Sequence, residues 1–377
     1  MPDIAVVIPK YGLVGGAEQF AAELTGQLCN RTAYTFQVFA NRWESNSGVI
    51  SFQKIPIYSF PKFLTTLSFA WFVERRIRRG HFDLVHSHER IFAADIYTLH
   101  GIPHRWWISH IRQKKAMSLY DAATAWVEKK LVMESGCKKF IAVSELTRQI
   151  FLSEYAVNPD RVAVIHPGVH LPDDPLINKS DIRASIRREL GIAPDDPVMV
   201  FASMNFEIKG LDDILLSLAQ VRRQYDHFKL IVAGKGNVKK YQKLAADAGV
   251  ASHVIFTGVV GRERMNDLYR AGDLYVMLSK FDTFGMVVLE AMSAGLPVIV
   301  SSHVGAKDLV EEGKNGFVVA DTSDHALIAS KISNLFDEKK RRAMSEAAYR
   351  TAVQNTWKRV TEQYSAVYDE ILEKKLL

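Results

Sequence analysis

Residues 274–301 read LYVMLSKFDTFGMVVLEAMSAGLPVIVS, and this stretch decides the fold. It opens with the apolar run Leu274–Leu278, continues through a loop into a helical pattern, and closes with a second apolar run, Val298–Ser301. Short runs rich in Val, Ile and Leu on either side of a helix are typical of parallel strands joined by a crossover. The stretch therefore predicts a strand–helix–strand unit of an α/β protein.

The same alternation recurs along the whole chain of 377 residues. The sequence predicts ten further strands, at Ile4–Pro9, Tyr34–Ala40, Phe82–Ser87, Asp95–His100, Lys139–Val143, Val162–Ile165, Val198–Ala202, Lys229–Ala233, Val254–Thr257 and Phe317–Val319. Apolar strands that alternate with helices indicate parallel sheets covered on both faces. At roughly 150 residues per domain, the length favours two domains. We therefore expect two doubly wound domains facing a central cleft.

Two further stretches complete the expected organisation. The proline-rich stretch 167–197 predicts a linker with one short helix near Asp181–Leu190. Residues 338–376 predict one long helical pattern that is interrupted near Gln354–Trp357.

The composition, with 48% hydrophobic and 24% charged residues, is that of a globular protein and excludes disordered and fibrous classes. Cys29 and Cys137 are the only cysteines, too few for a disulfide framework, which favours a reducing compartment. Ile4–Pro9 has no cationic region before it, so we expect a strand there and no secretory signal. No run approaches the roughly 18 apolar residues of a transmembrane helix. A cytoplasmic location is expected.

The positive charge lies in one half of the chain. Residues 1–172 contain 20 Lys and Arg against 14 Asp and Glu, whereas residues 173–377 contain 28 of each. Two segments of the first half, Phe60–Gly80 and Arg105–Lys130, combine aromatic residues with clustered cations, such as Trp71 before Arg75 and Arg76. This combination is typical of a surface that contacts anionic lipid, and an ordinary helix with solvated arginines explains it equally well. Nucleic acid is not expected, because no RNA or DNA motif accompanies the charge.

Two loops that follow strands carry groups suited to phosphate. Gly15 and Gly16 follow the first strand and open a helix, where backbone can approach an anion closely; a tight turn is the alternative explanation. Lys209 precedes Gly210 after the strand Val198–Ala202, where a lysine can neutralise a phosphate; a solvated loop lysine is the alternative.

The loop after Leu274–Leu278 is the densest in chemistry. The amides of Gly285, Met286 and Val287 are donors at the start of a helix, suited to phosphate. Asp282 precedes them, and Glu290 lies eight residues after Asp282 in an otherwise apolar helix. An isolated acid in such a helix needs a partner, so we expect Glu290 to accept hydrogen bonds from a polyol, the alternative being exposure to solvent.

Metal-ion and hydrolase chemistry are not expected. His86, His88 and Glu89 follow a strand, but a third and fourth ligand are not evident, and no D-x-D occurs in the chain. The G-x-S-x-G motif of hydrolases is missing as well. We therefore expect no metal ion and no cofactor.

Taken together, GGAE at 15–18, Lys209-Gly210, and Asp282 and Glu290 followed by AMSAGLPV resemble the retaining glycosyltransferases of family 4 (group 1), which have the GT-B fold. The resemblance extends over essentially the whole chain, and within the family it points to lipopolysaccharide-core glucosyltransferases. It implies an acceptor-binding domain at 1–172, a donor-binding domain at 173–356, and a terminal helix at 357–377 that returns to the first domain.

The resemblance also implies the roles of individual residues. Asp282 would contact hydroxyls of the donor sugar, Lys209 would neutralise the diphosphate, and His100 would stand beside the sugar; these three are the expected catalytic residues. The full set expected to bind the donor is Gly15, Gly16, Lys209, Val259, Asp282, Gly285, Met286, Val287 and Glu290. Within that set, Glu290 would accept hydrogen bonds from the ribose, and the loop at Val259 would recognise the base.

The activity implied is the transfer of a hexose, glucose, from a UDP-sugar to a cell-envelope glycan or lipid-linked acceptor such as lipopolysaccharide core, with retention and without metal. The enzyme would lie in the cytoplasm, peripherally at the inner face of the cytoplasmic membrane. Two alternatives stay open: a nucleotide-sugar epimerase of the same fold, and a catalytically silent scaffold. Asp282 stands where the family has a glutamate and Met204 where it has an arginine, which keeps the scaffold open. A nicotinamide oxidoreductase is disfavoured, because both halves lack G-x-G-x-x-G.

Overall fold

The structure is a computed structural model that describes residues 1–13, 15–31, 33–45, 47–172 and 179–376. The chain forms two compact units. The first contains residues 1–168 and 357–377, and the second contains residues 169–356. The assignment of acceptor binding to one domain and donor binding to the other stays a prediction.

The first unit is built on a seven-stranded parallel sheet in the order β5-β3-β1-β6-β7-β8-β9, beside a two-stranded ribbon of β2 and β4. Its strands are β1 (Asp3–Val7), β2 (Lys10–Tyr11), β3 (Thr35–Ala40), β4 (Arg42–Trp43), β5 (Ser51–Lys54), β6 (Leu84–Ser87), β7 (Ile96–Leu99), β8 (Lys139–Ala142) and β9 (Val162–Val164). Its helices before residue 169 are α1 (Gly16–Arg31), α2 (Leu64–Ile77), α3 (His104–Trp106), α4 (Leu119–Lys129) and α5 (Glu145–Glu154), with π-helical segments extending α3 over Trp107–Ile111 and α4 over Lys130–Glu134.

The second unit is built on a six-stranded parallel sheet in the order β12-β11-β10-β13-β14-β15. Its strands are β10 (Val198–Ser203), β11 (Lys229–Gly234), β12 (Val254–Gly258), β13 (Leu274–Met277), β14 (Val298–Ser301) and β15 (Gly316–Val319). Its helices are α6 (Lys179–Glu189), α7 (Leu211–Val221), α8 (Val238–Asp247), α9 (Arg262–Ala271), α10 (Met286–Ser293), α11 (His325–Asn334) and α12 (Glu338–Gln354).

Each sheet has a point where the direction of winding reverses. In the first sheet β1 is flanked by β3 and β6, and in the second sheet β10 is flanked by β11 and β13. The chain thus builds one side of each sheet first and then crosses to the other side. Ligands of doubly wound sheets bind beyond the carboxyl ends of the strands at such switch points. The loops after β1, β6, β10 and β13 are therefore where sites are expected.

The last helix, α13 (Trp357–Leu376), belongs to the first unit. The Tyr364 hydroxyl lies 3.1 Å from the Thr98 hydroxyl, and the Lys375 ammonium lies 2.9 Å from the Asp95 carboxylate. Gly168 lies against the start of this helix, because a Cβ at that position would fall 2.6 Å from the Trp357 backbone nitrogen. Only glycine at position 168 therefore allows the chain to lie this close to the start of α13.

The predicted α/β architecture with two parallel, doubly wound sheets is confirmed. The central strands were predictable because helices cover both faces, so that every residue of β10, β13 and β14 is buried and apolar runs are continuous. The strands β2, β4 and β5 were not predicted from the sequence. The last of these, Ser51–Lys54, lies at the edge of the first sheet with both end residues exposed, so it needs no apolar run.

Candidate functional site

The group of side chains best suited to bind a ligand lies at the switch point of the second sheet. Lys209, in the loop after β10, forms an ion pair with Asp282, in the loop after β13. The two side chains are 20% and 19% exposed, so the pair is largely buried and still reaches the surface. The alternative of a fully solvated loop lysine is therefore wrong.

Backbone hydrogen bonds hold these two loops against each other. The amide of Lys280 donates to the carbonyl of Ile208 at 2.7 Å, and the Ser279 hydroxyl donates to the same carbonyl at 3.1 Å. The Asp282 carboxylate accepts from the Phe284 amide at 3.2 Å, while the Asp282 amide donates to the carbonyl of His303 at 2.9 Å. The charged groups are thus held by backbone that is itself fixed, which is the arrangement a binding site needs.

Gly210 allows Lys209 to lie this close to β13. Its φ is +73°, and a Cβ at this position would fall 2.1 Å from the carbonyl oxygen of Leu278. No other residue fits there without displacing backbone. The glycine therefore serves the approach of two loops, and α7 begins directly after it.

The helix α10 begins beside Asp282. Its N-cap is Gly285, with a left-handed φ of +88°, and a Cβ there would fall 3.3 Å from the Asp282 carboxylate. The first amides of a helix have no partner within the helix, and they carry the positive end of its dipole. The amides of Gly285, Met286 and Val287 are therefore placed next to the ion pair, where an anion would meet both.

Glu290 lies further along α10 and is half-buried. It accepts a hydrogen bond from the Tyr269 hydroxyl at 3.4 Å. Burial raises the pKa of this carboxyl, which the Tyr269 hydrogen bond and the Arg262 charge lower in part. Tyr269 is a partner that sequence reasoning did not identify. Val259 follows β12 with 61% of its surface exposed, in agreement with a loop open to a ligand.

The remaining predicted residues lie in the first unit. Gly16 is the first residue of α1, after β1 and β2, and a Cβ there would meet no atom within 4 Å, so the space beside it is open. Gly15 precedes it with a φ of +150°. His100 directly follows β7 and is half-buried against the ring of Phe20, 4.8 Å between centroids.

His86 and His88 are engaged with other side chains of the first unit. The two nitrogens of His86 lie 2.6 Å from the Tyr368 hydroxyl and 2.7 Å from the Thr98 hydroxyl, and Nδ1 of His88 lies 2.8 Å from Nε2 of His100. Burial lowers the pKa of His86 and of His100 to about 3. Burial also lowers the pKa of His88 well below its ordinary value. Across the described ranges, no cluster of three or more His, Cys, Asp or Glu side chains could hold a metal ion.

The basic segments of the first unit form a surface on α2 and α4, which are joined by a hydrogen bond of 3.1 Å between the Thr66 and Thr124 hydroxyls. The exposed apolar side chains of these segments include Phe60 (90% exposed), which precedes α2, and Trp71 (47%), Leu119 (75%) and Trp126 (47%). Arg75 lies 5.4 Å from the ring of Trp71, and Lys130 lies 4.8 Å from that of Trp126. We call this the α2–α4 surface. Within the described part of the chain, no helix is both long and apolar enough to cross a membrane.

Comparison with known proteins identifies relatives of both halves of the chain. The family model for glycosyltransferase family 4 matches residues 14–172, and the model for glycosyl transferases group 1 matches residues 182–351. A D-inositol 3-phosphate glycosyltransferase of Streptomyces scabiei is 30% identical over 294 residues, which are 72% of this chain and 65% of that relative, just under two thirds of its length.

Solved structures of other proteins superpose on nearly the whole chain. The glycosyltransferase WaaG, involved in lipopolysaccharide biosynthesis, superposes with a TM-score of 0.79 at 20% identity, covering 97% of this chain and 99% of its own. Anabaena HepE in complex with UDP and glucose superposes with a TM-score of 0.72 at 20% identity, covering 98% and 100%. At these identities the likeness concerns the fold. The two family models and the two parallel sheets together identify the chain as a GT-B glycosyltransferase of family 4 (group 1), a family of the retaining hexosyltransferase type.

Proposed function

We propose that this chain transfers glucose from UDP-glucose to a lipid-linked or phosphorylated glycan of the cell envelope, with retention of the anomeric configuration. The observation that carries the proposal is the Lys209–Asp282 ion pair at the switch point of the second sheet, directly beside the amides that open α10. A cation, a carboxylate and free helix donors at one place suit a sugar diphosphate, which offers both anionic oxygens and hydroxyls.

The diphosphate is the part of the donor that these groups suit best. When the bond from the anomeric carbon to the diphosphate breaks, negative charge collects on the departing phosphate oxygen. The Lys209 ammonium and the amides of Gly285, Met286 and Val287 stabilise that charge, and donors fixed in advance lower the barrier most. These groups supply positive charge without a metal ion, which supports metal-independent transfer.

The sugar and the nucleoside are assigned to the acids of the same unit. Asp282 accepts hydrogen bonds from hydroxyls of the glucose, and Glu290, half-buried beside Tyr269, accepts from the ribose. The loop at Val259 contacts the base. HepE, a structure of the same fold, is in complex with UDP and glucose, which supports uracil as the base and glucose as the sugar.

Retention requires either a nucleophilic carboxylate or attack from the face of the leaving group. Asp282 is unsuited as a nucleophile, because its carboxylate is held by Lys209 and by the Phe284 amide. We therefore assign a front-face displacement, in which the acceptor hydroxyl bonds to the anomeric carbon and passes its proton to the leaving phosphate. For Gly15, Gly16 and His100 of the first unit we keep the roles that the family resemblance implies, the two glycines toward the donor phosphate and the histidine toward the sugar.

The acceptor is assigned to the first unit because that unit carries the whole excess of positive charge. The α2–α4 surface exposes two tryptophans beside arginine and lysine, which suits contact with anionic lipid headgroups. We place the enzyme in the cytoplasm, peripherally at the inner face of the membrane, where a lipid-linked acceptor such as lipopolysaccharide core is assembled.

The donor proposal is tested by titrating the protein with UDP-, GDP- and ADP-glucose in the presence of a chelator, following heat and the release of nucleoside diphosphate. We expect micromolar binding of UDP-glucose that is lost in Glu290→Ala. The matched control is Lys243→Ala, which changes an exposed side chain on α8. Absence of binding for all three nucleotide sugars would overturn the proposal in favour of a silent scaffold.

The membrane proposal is tested with vesicles that contain anionic lipid. We expect binding to be lost when Arg75, Arg76, Arg78 and Arg79 are changed to Ser, since each cation contributes about 1 kcal/mol near such a surface. The control changes the exposed residues Lys239, Lys240, Lys243 and Lys339 to Ser, an equal loss of charge in the second unit. Vesicle binding that is unchanged by the arginine substitutions would refute the assignment.

A further inference from the structure

His88 lies at the switch point of the first sheet. It directly follows β6, and its amide donates to the carbonyl of Val7 at the end of β1 with a length of 2.9 Å. The side chain is only 5% exposed. A titratable group is thus buried where doubly wound sheets bind ligands.

The hydrogen bonding of His88 differs from that of its neighbour His86. Both nitrogens of His86 have hydroxyl partners, Tyr368 and Thr98, as expected of a histidine with a structural role. Nδ1 of His88 shares a hydrogen bond with His100, whereas Nε2 is buried with no partner in the part of the chain that the structure describes. An unsatisfied buried polar atom costs about 1–3 kcal/mol, which an apolar side chain would avoid. Such a cost points to a function for the bond that is made.

We infer that His88 is a positioning residue for His100, donating from Nδ1 to Nε2 of His100 and so fixing the orientation and the tautomer of that ring. His88 is the donor because the opposite arrangement is worse. If His100 donated to Nδ1 of His88, the proton of neutral His88 would be on Nε2, which would then be a buried N–H with no partner. Buried donors without a partner are rarer than buried acceptors without one. In the assigned arrangement the proton of neutral His100 is on Nδ1. The catalytic consequence, though not the tautomer itself, rests on the proposed function.

Packing keeps both rings in place. The ring of Phe20 meets His100 edge-on at 4.8 Å, and the rings of His88 and His100 have centroids 5.1 Å apart and an interplanar angle of 22°. The centroid of the His86 ring lies 4.2 Å from that of His88, and His86 is hydrogen-bonded to Tyr368 of α13. The last helix therefore supports the histidine that supports His100.

The inference is tested first by a readout that needs no substrate. Nitrogen-15 NMR of the histidine side chains distinguishes Nδ1–H from Nε2–H tautomers. We expect His100 of the wild-type protein to carry its proton on Nδ1, to keep it in His88→Asn, whose amide can donate in place of the imidazole, and to lose this preference in His88→Leu. An unchanged His100 tautomer in His88→Leu would overturn the inference.

The second measurement separates positioning from packing. We expect His88→Leu to lower kcat for release of UDP from UDP-glucose by about 10- to 100-fold with little change in donor affinity, because misorientation of a reacting group has effects of that size. Its thermal stability should be equal or higher, and His88→Asn should recover part of kcat.

The control is His86→Phe, which should lower stability yet leave the His100 tautomer as in the wild type. An equal change of that tautomer in His86→Phe would assign the effect to packing of the histidine rings and refute the role of His88. If the wild-type protein bound no nucleotide sugar, the proposed function would fail, while the NMR result would still decide the role of His88.

Discussion

Removal of either partner of the Lys209–Asp282 pair separates the contributions of the diphosphate and the sugar to donor binding. The pair is partly buried, and Asp282 keeps the Phe284 amide as a second partner when Lys209 is lost. We therefore expect both Lys209→Ala and Asp282→Asn to fold, with modest losses of stability.

The magnitudes differ between UDP and UDP-glucose. A hydrogen bond to a charged group contributes about 1.5–3 kcal/mol, so Lys209→Ala should weaken both ligands by roughly 10- to 150-fold. Asp282→Asn keeps an acceptor for the sugar but removes its charge, so UDP-glucose should bind roughly 5- to 10-fold more weakly. UDP alone should bind Asp282→Asn at least as tightly as the wild type, because Lys209 no longer shares its charge with a carboxylate.

Calorimetric titration of the two variants and of Lys243→Ala with UDP and UDP-glucose measures all of these quantities. Thermal unfolding of each variant serves as the control for folding. Equal weakening of UDP and UDP-glucose by Asp282→Asn would refute the assignment of Asp282 to the sugar. Wild-type affinity for both ligands in Lys209→Ala would refute the assignment of Lys209 to the diphosphate.

Three further outcomes follow from the packing. Gly210→Ala should destabilise the second unit by about 1–3 kcal/mol, because it combines a φ of +73° with a contact of 2.1 Å to backbone, whereas Gly261→Ala, with open space around its Cβ, should change the melting temperature little. Tyr368→Phe should cost about 1–3 kcal/mol in urea unfolding, since it leaves a nitrogen of buried His86 unsatisfied; an unchanged midpoint would contradict this. Burial lowers the pKa of His86 and of His100 to about 3 from the ordinary 6.5, so as the pH falls the unfolded chain takes up protons at a higher pH than the folded chain does. The contribution of these two groups to the free energy of unfolding is therefore fully present above pH 6.5 and falls toward pH 3, by up to about 1.4 kcal/mol per pH unit for each group. Equal urea midpoints at pH 7 and pH 5 would refute this pH dependence.

The predicted strands of the two sheets agree with the structure to within about two residues at each end, because buried parallel strands require continuous apolar runs. The edge strand Ser51–Lys54 was missed for the opposite reason, since exposure on its outer side places no such demand on its composition. The break before α13 was foreseen near Gln354–Trp357, and α12 ends at Gln354.

The candidate site was predictable as a set of motif residues and not as a set of contacts. Asp282, Gly285 and Glu290 lie in one short stretch, so their order along a loop and a helix follows from the sequence. Tyr269 was not identified from the sequence, and His88 was considered only as a possible metal ligand. Their importance comes from the partners they meet, and the only signal in the sequence was the presence of histidines at the end of a strand.

The sequence by itself determined the alternation of strands and helices, the position of each motif after a strand, and the concentration of positive charge in the first half. These properties are local or additive, so they can be taken from residues and their spacing. Only the tertiary structure decided which distant residues meet: Lys209 and Asp282 are 73 positions apart, and His86 and Tyr368 are 282 apart. The physical reason is that crossover connections set the order of parallel strands, and that order brings the loops after β10 and β13, or β6 and β7, to the same edge of a sheet.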